Sequence, residues 1–295
     1  MQYKYMTNNL KLTPFMEKIG LKKVKKNESF EKCSANFENK MPLFIINCDI
    51  HKNRLDKFKK SAKNAKLKFC KESCVNGKKF TDDIIYKMYT HKPQIVKKAD
   101  ITPIEISITM SHLNAWIKIL ESGSEYGMVM EDDVILRKSF KKNVDLTLRK
   151  LEENKKEFDI LFLWNGNWNN TKSFMKKILK INDKITIKQE MEAFTSGTVC
   201  YIITRKFIKK ILKNILPIKY PVDMYLGTFY NKARLFSIDM KYNKNLEKDI
   251  SPYFLPGKWD DKVFYDGKTD KQSSHKSVEN KKNIKQIIDN FNKKI

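Results

Sequence analysis

The sequence predicts an α/β domain built on a mostly parallel central sheet. The chain is 41% hydrophobic and 12% aromatic over 295 residues, enough to fill a large α/β core. "LFIIN", Leu43 to Asn47, and "LKFC", Leu67 to Cys70, are short apolar runs of the kind that become buried strands. Between them, Leu55, Phe58 and Ala62 recur at helical spacing, so strand, helix and strand form a βαβ unit with a parallel pairing and a right-handed crossover.

The remaining elements follow in order. Residues 1–40 are polar and lysine-rich and read as an N-terminal extension, with one amphipathic helix through Phe15, Ile19 and Val24. The domain spans 41–250, and 251–295 read as loops and a basic helical tail packed on it. After the βαβ unit comes the turn "VNG", ending at Gly77. A helix then starts at Thr102, an N-cap followed by Pro103 and by Glu105 at the capping-box position, and stops at Gly123. Ile104, Ile108, Leu113, Trp116, Ile117 and Leu120 form its apolar face. "YGMVM" must be the next strand because so few residues separate it from that helix. "FDILFLW", Phe158 to Trp164, and Thr198 to Ile203 are further strands; helices begin at Arg205 and near Pro221.

Charge excludes less than its size suggests. The net charge is +26, yet only five of the 60 basic residues are arginine. Nucleic-acid readers lean on arginine for bidentate contacts, and zinc-finger, RRM and basic-zipper signatures are absent, so no specific nucleic-acid partner is expected. Lysine on solvated faces suits contact with an anionic membrane surface or with nucleotide phosphates. The five cysteines are odd in number, and Cys48 and Cys200 lie in apolar runs where a reduced thiol packs as a small hydrophobe. Cys70 and Cys74 have no second Cys or His pair to complete a zinc site. No run approaches the roughly 18 apolar residues of a membrane span. The expectation is a cytoplasmic protein with reduced thiols.

The chemistry concentrates at "EDD", Glu131 to Asp133, where a central strand leaves the sheet. That carboxyl end is where open α/β sheets bind ligands. Strand alternation directs Glu131 and Asp133 to one side and Asp132 to the other, and two acids so spaced make a hard-oxygen site for Mg or Mn. The alternative is a solvated acid cluster neutralised by lysines such as Lys138 and Lys141.

Six segments, "LFIINCDIHKNRLDKF", "CVNGKKF", "EISITMSHLNAWIKIL", "YGMVMEDDVIL", "GTVCYIITRKFIKKIL" and "PVDMYLG", resemble glycosyltransferase family 25 in order and spacing, from about Pro42 to Asp239. The resemblance implies a GT-A fold with Rossmann-type topology and inverting transfer of a hexose, typically galactose, from a UDP-sugar. The acceptor would be a glycan, a lipooligosaccharide or other lipid-linked sugar, or collagen-like hydroxylysine. It implies that Glu131 and Asp133 hold Mn or Mg and the UDP diphosphate, that Asp132 supports them or the ribose, and that Asn47, Arg54, Ser111 and His112 bind the donor. Asp223 matches the family's Pro-Val-Asp element as general base, with Glu192 and Asp159 in reserve; Trp164, Trp168 and Trp259 are candidate sugar platforms. Cys48 stands where the family has Leu, and both glycines of the family's helix start are absent before Ser111. An acid cluster on a basic surface also fits a metal-dependent nuclease or phosphotransferase, and the missing glycines motivate a third class, a noncatalytic sugar- or nucleotide-binding module. Metal-dependent release of UDP separates all three.

Overall fold

In the structure, a computed structural model, residues 33, 36–77, 80, 88, 101–164, 175–191, 198–238, 241–243, 248–250 and 253–254 are described. Every residue of "LFIIN" is buried, and the run forms β1 (Leu43–Asn47). Helix α1 (Lys52–Asn64) buries Phe58, Ser61 and Ala62 and leads to β2 (Cys70–Ser73), parallel to β1 as expected. The second strand begins where "LKFC" ends, because that run packs rather than pairs: Phe69 meets Phe58 edge-on at 5.0 Å.

Helix α2 (Pro103–Glu121) carries the expected capping box, with Thr102 Oγ1 accepting from the Glu105 amide at 3.2 Å and Glu105 accepting from the Thr102 amide at 2.7 Å. Gly123, at φ +76°, follows its end. The apolar face differs in one place: Ile108 is 41% exposed, and Ile106 and Met110 take the core side. The loop before α2 approaches so closely that a Cβ on Gly77 would lie 2.5 Å from the Pro103 carbonyl oxygen and 2.9 Å from Ser107 Oγ. Gly77→Ala is therefore expected to cost roughly 1–3 kcal/mol. The measurement is a urea titration, in which the midpoint should fall at constant m; an unmoved midpoint would show that the loop accommodates the methyl group.

The chain continues through β3 (Tyr126–Glu131), α3 (Phe140–Glu153), β4 (Ile160–Phe162), β5 (Met175–Lys180), β6 (Thr186–Glu190), β7 (Cys200–Thr204), α4 (Arg205–Ile211), α5 (Val222–Gly227) and β8 (Leu235–Ile238). β9 (Lys241–Asn243) and β10 (Lys248–Ile250) form a separate antiparallel pair. The main sheet has eight strands in the order β2-β1-β3-β7-β4-β8-β6-β5. Pairs β1/β2, β1/β3 and β4/β8 are parallel, and the other four neighbouring pairs are antiparallel. The α/β class holds, but the sheet is mixed and mostly antiparallel rather than mostly parallel. The reason is that a continuous apolar run reports burial on both faces, not direction; β7 is buried throughout and runs against both its neighbours.

Alternating residues of β1 enter two apolar layers. Phe44 and Ile46 join Met110, Trp116, Phe207 and Leu226 on one face, while Leu43 and Ile45 join Phe58, Phe140, Val144, Tyr253 and Phe254 on the other. Phe37, in the segment read as an extension, is also buried in the second layer. The helix expected through Phe15 and the basic tail lie outside the described residues. Among the described residues no helix is long and apolar enough to cross a membrane.

The cysteines differ from the expected reduced state. Cys33 is bonded to Cys70 and Cys48 to Cys74, leaving Cys200 as a buried thiol. The second bridge follows from register: Asn47 pairs with Ser73, so the next residues along two parallel strands, Cys48 and Cys74, are neighbours with Cα atoms 4.8 Å apart.

Candidate active site

The parallel pairing of β1 with β3 sets Ile46 beside Glu131, so the residues that follow, Asn47 and Asp132, also come together. Asn47 Nδ2 donates to Asp132 Oδ2 at 2.5 Å and to the His51 carbonyl at 3.1 Å. Arg54, reaching from the first turn of α1, places Nη1 3.6 Å from Asp132 Oδ1. Burial pushes the Asp132 carboxyl up, and the Asn47 hydrogen bond and Arg54 charge oppose that rise. Asp132 is therefore not turned away from the site as strand alternation implied. The strand ends at Glu131, alternation ends with it, and the positive charge of Arg54 reaches all three carboxylates.

Glu131 is held from the other side. Thr198, just before β7, donates its hydroxyl to Glu131 Oε1 at 2.9 Å, and the fully buried His112 on α2 brings Nε2 to 3.5 Å of the same oxygen. Burial raises the Glu131 carboxyl, but His112, Thr198 and Arg54 outweigh it and hold the group below its ordinary range. At Asp133 the charge of Arg54 and a backbone hydrogen bond pull down but are outweighed. Burial, then the negative charges of Glu131 and Asp132, push it up to about 7. Asp133 Oδ1 and Asn47 Oδ1 are both buried acceptors without a hydrogen-bond partner, an arrangement that folded proteins rarely leave unused.

The other predicted residues divide. Asp223, in the first turn of α5, caps the Met224 amide at 2.8 Å. Burial raises its carboxyl, and the charge of Glu131 raises it further, which puts Asp223 within electrostatic reach of Glu131. Ser111 is not brought to the acids: its hydroxyl accepts from the Val75 amide at 2.9 Å and donates to the Ser107 carbonyl at 2.7 Å, fixing the loop after β2 against α2. Its hydroxyl thus supports the loop against the helix. Asp159 precedes β4 at the opposite end of the sheet, accepts from the Arg234 amide at 2.8 Å and lines a cavity of about 630 Å³ with Lys206, Tyr230 and Lys232, so it leaves the reserve list for the base. Trp164 packs edge-on against Phe254 at 5.6 Å. Glu192, Trp168 and Trp259 lie outside the described residues.

A family model described as glycosyltransferase family 25 (LPS biosynthesis protein) matches residues 40–226, a span that includes Asn47, Arg54, His112, Glu131 to Asp133, Thr198 and Asp223. This chain belongs to glycosyltransferase family 25. The match ends at Leu226, just past Asp223, and short of the Asp239 limit read from the sequence. Among curated relatives, procollagen galactosyltransferase 1 of Danio rerio is 23% identical over 134 residues, which is 45% of this chain and 21% of that protein. Procollagen galactosyltransferase 1-B of Xenopus laevis is 23% identical over 204 residues, 64% of this chain and 31% of the relative. The chain thus spans less than a third of the length of either relative. The α/β sheet with acids at a strand end accords with the GT-A-like domain of a family 25 glycosyltransferase.

Three residues packed at this corner fall outside the sequence-predicted set: Thr198, which bonds Glu131; Tyr201, whose hydroxyl lies 2.7 Å from His112 Nδ1; and Trp116, whose indole N–H meets that hydroxyl at 2.8 Å. Their signal was present, since "SHLNAW" puts His112 and Trp116 four apart on one helix face, but placing β7 beside β3 required a pairing that no local pattern encodes.

Proposed function

We propose that this chain transfers a hexose, with galactose the first choice and glucose the second, from a UDP-sugar to an acceptor hydroxyl with inversion at the anomeric carbon. The observation that carries the reading is the pair of unpartnered buried oxygens, Asn47 Oδ1 and Asp133 Oδ1, beside Glu131 and Arg54 at a strand end in a family 25 domain. Acceptor atoms so placed suit a cation and the hydroxyls of a nucleotide ribose. Among the described residues no three His, Cys, Asp or Glu side chains converge as a complete cation site. Glu131 and Asp133 fit a Mn or Mg ion that takes its remaining ligands from the donor diphosphate and water, as Mg sites commonly do. Such an ion supplies Lewis-acid stabilisation of the charge on departing UDP. Arg54 adds a fixed positive charge, and Asn47 holds Asp132 in place.

Asp223 is the proposed base for the acceptor hydroxyl. A carboxyl raised by burial takes a proton more readily than an exposed one. Asp223→Asn should lower transfer by on the order of 10² to 10⁴ and leave UDP affinity nearly unchanged, because the base acts on the acceptor and not on the diphosphate. Normal turnover by that variant would remove Asp223 from the role.

The relatives' names direct the acceptor search toward collagen-type hydroxyls and the family description toward lipopolysaccharide glycans. The two disulfides favour maturation in an oxidising compartment over the cytoplasm expected from sequence. The deciding assay offers UDP-galactose, UDP-glucose and other nucleotide sugars with Mn and with chelator. Metal-dependent release of UDP supports the proposal. No turnover with any nucleotide sugar would leave the noncatalytic module, and cleavage of nucleic acid would favour the nuclease.

A further inference from the structure

We infer that Tyr201 is a positioning residue of the donor site: its hydroxyl donates to His112 Nδ1, fixes the ring hydrogen on Nε2, and so aims a buried N–H at Glu131. The functional part of this inference rests on the donor-site reading; the hydrogen-bond directions do not.

The directions follow from which atoms are able to donate. Trp116 Nε1 is a donor only, and it lies 2.8 Å from the Tyr201 hydroxyl, so the phenol oxygen accepts there. The phenol's own hydrogen then needs an acceptor, and His112 Nδ1 stands 2.7 Å away. Trp116, His112 and Tyr201 are all fully buried, shielding the chain from bulk solvent. Burial also pushes the Tyr201 phenol well up, so it keeps its hydrogen. With Nδ1 accepting, a neutral imidazole carries its hydrogen on Nε2, the atom that faces Glu131 Oε1 at 3.5 Å and has no closer partner.

The consequence for Glu131 is an asymmetric carboxylate. Oε1 takes the Thr198 hydroxyl at 2.9 Å and the approach of His112, while Oε2 receives no protein donor among the described residues. The side chain is thereby oriented by one oxygen and presents the other. Two hydrogen bonds, Trp116 to Tyr201 and Tyr201 to His112, and then the 3.5 Å approach of His112 Nε2 to Glu131, run from the packed face of α2 to the end of β3 and favour one carboxylate rotamer for the donor. Ring stacking of His112 on Tyr201, with centroids 5.7 Å apart, keeps the imidazole from turning over.

The test reads the ring directly. Long-range ¹H–¹⁵N spectra of the full chain, with the His112 signals identified by their loss in His112→Gln, should show the hydrogen on Nε2. Tyr201→Phe should release that preference, giving a mixture of the two tautomers, and weaken Mn-dependent UDP binding by about tenfold, the lower end of the 10–100-fold typical for partners of ligating groups. Ile117→Ala, at a buried position of the same helix outside this line, should lower stability while keeping both the tautomer and the UDP affinity, which separates positioning from packing. A wild-type hydrogen on Nδ1 overturns the inference, as does a Tyr201→Phe chain that binds UDP as tightly as its parent. Should Tyr201→Phe fail to fold, the wild-type spectrum decides alone. Absence of UDP binding to a wild-type chain with its hydrogen on Nε2 would sink the donor reading and the positioning role that rests on it, leaving only the hydrogen-bond directions; UDP binding with the hydrogen on Nδ1 would sink the inference alone.

Discussion

Asp133→Asn is expected to be more stable than the parent chain near about pH 8 and to lose cation-dependent UDP binding. In the folded protein the Asp133 carboxyl is pushed from its usual 3.8 up to about 7 by burial and by Glu131 and Asp132. The unfolded chain ionises near the lower value, so the folded state binds the extra proton between the two. The contribution to stability is fully present below 3.8 and is lost as pH rises through about 7. At ~1.4 kcal/mol per pH unit the interval corresponds to a ceiling on the order of 4 kcal/mol. Asparagine carries no charge to bury, so its advantage should appear in denaturant titrations at neutral and alkaline pH and vanish in acid. Equal stability of the two chains across the range would show that Asp133 is not confined as described. Cation-dependent UDP binding that survived the substitution would remove it from the site.

The second large effect concerns the bridges. Cys33–Cys70 and Cys48–Cys74 span 37 and 26 residues of sequence, for which chain-entropy arguments give about 3–4 kcal/mol each, and less than the sum because the loops overlap. Reduction should lower the unfolding midpoint sharply. Replacing Cys48 and Cys74 by Ser should also weaken UDP binding more than replacing Cys33 and Cys70, because Cys48 directly follows Asn47, whose amide holds Asp132. Alkylation and mass spectrometry of the native chain provide the check. Five reactive thiols under denaturing, nonreducing conditions would abolish both bridges.

What the sequence made legible was whatever a local period or cap encodes. The capping box at Thr102 and the apolar run into Glu131 stand where their patterns put them, and the βαβ unit forms with its second strand shifted to Cys70–Ser73. Strand direction was not legible, because β7 is apolar throughout and such a run serves either polarity. The disulfides were missed for a related reason: Cys48 and Cys74 are 26 positions apart and meet only through the pairing of β1 with β2. At the site, the acids and Asn47 were visible as residue types. The partner of each was not, since Thr198 reaches Glu131 across 67 positions and Tyr201 reaches His112 across 89.

Asn47 and Asp132 meet across 85 positions of sequence because two strands run side by side in one register. Chain length and site geometry are therefore decoupled. Residues added in the connections between β1 and β3 would lengthen the path without separating the pair, so descendants of this domain are free to grow or shrink there and keep the same corner. A single residue gained or lost within either strand has the opposite result: it shifts the pairing by one place, turns side chains to the other face and parts the amide from its carboxylate. Tolerance of insertion should thus be mapped by pairing, with a few strand positions intolerant and long stretches between them permissive.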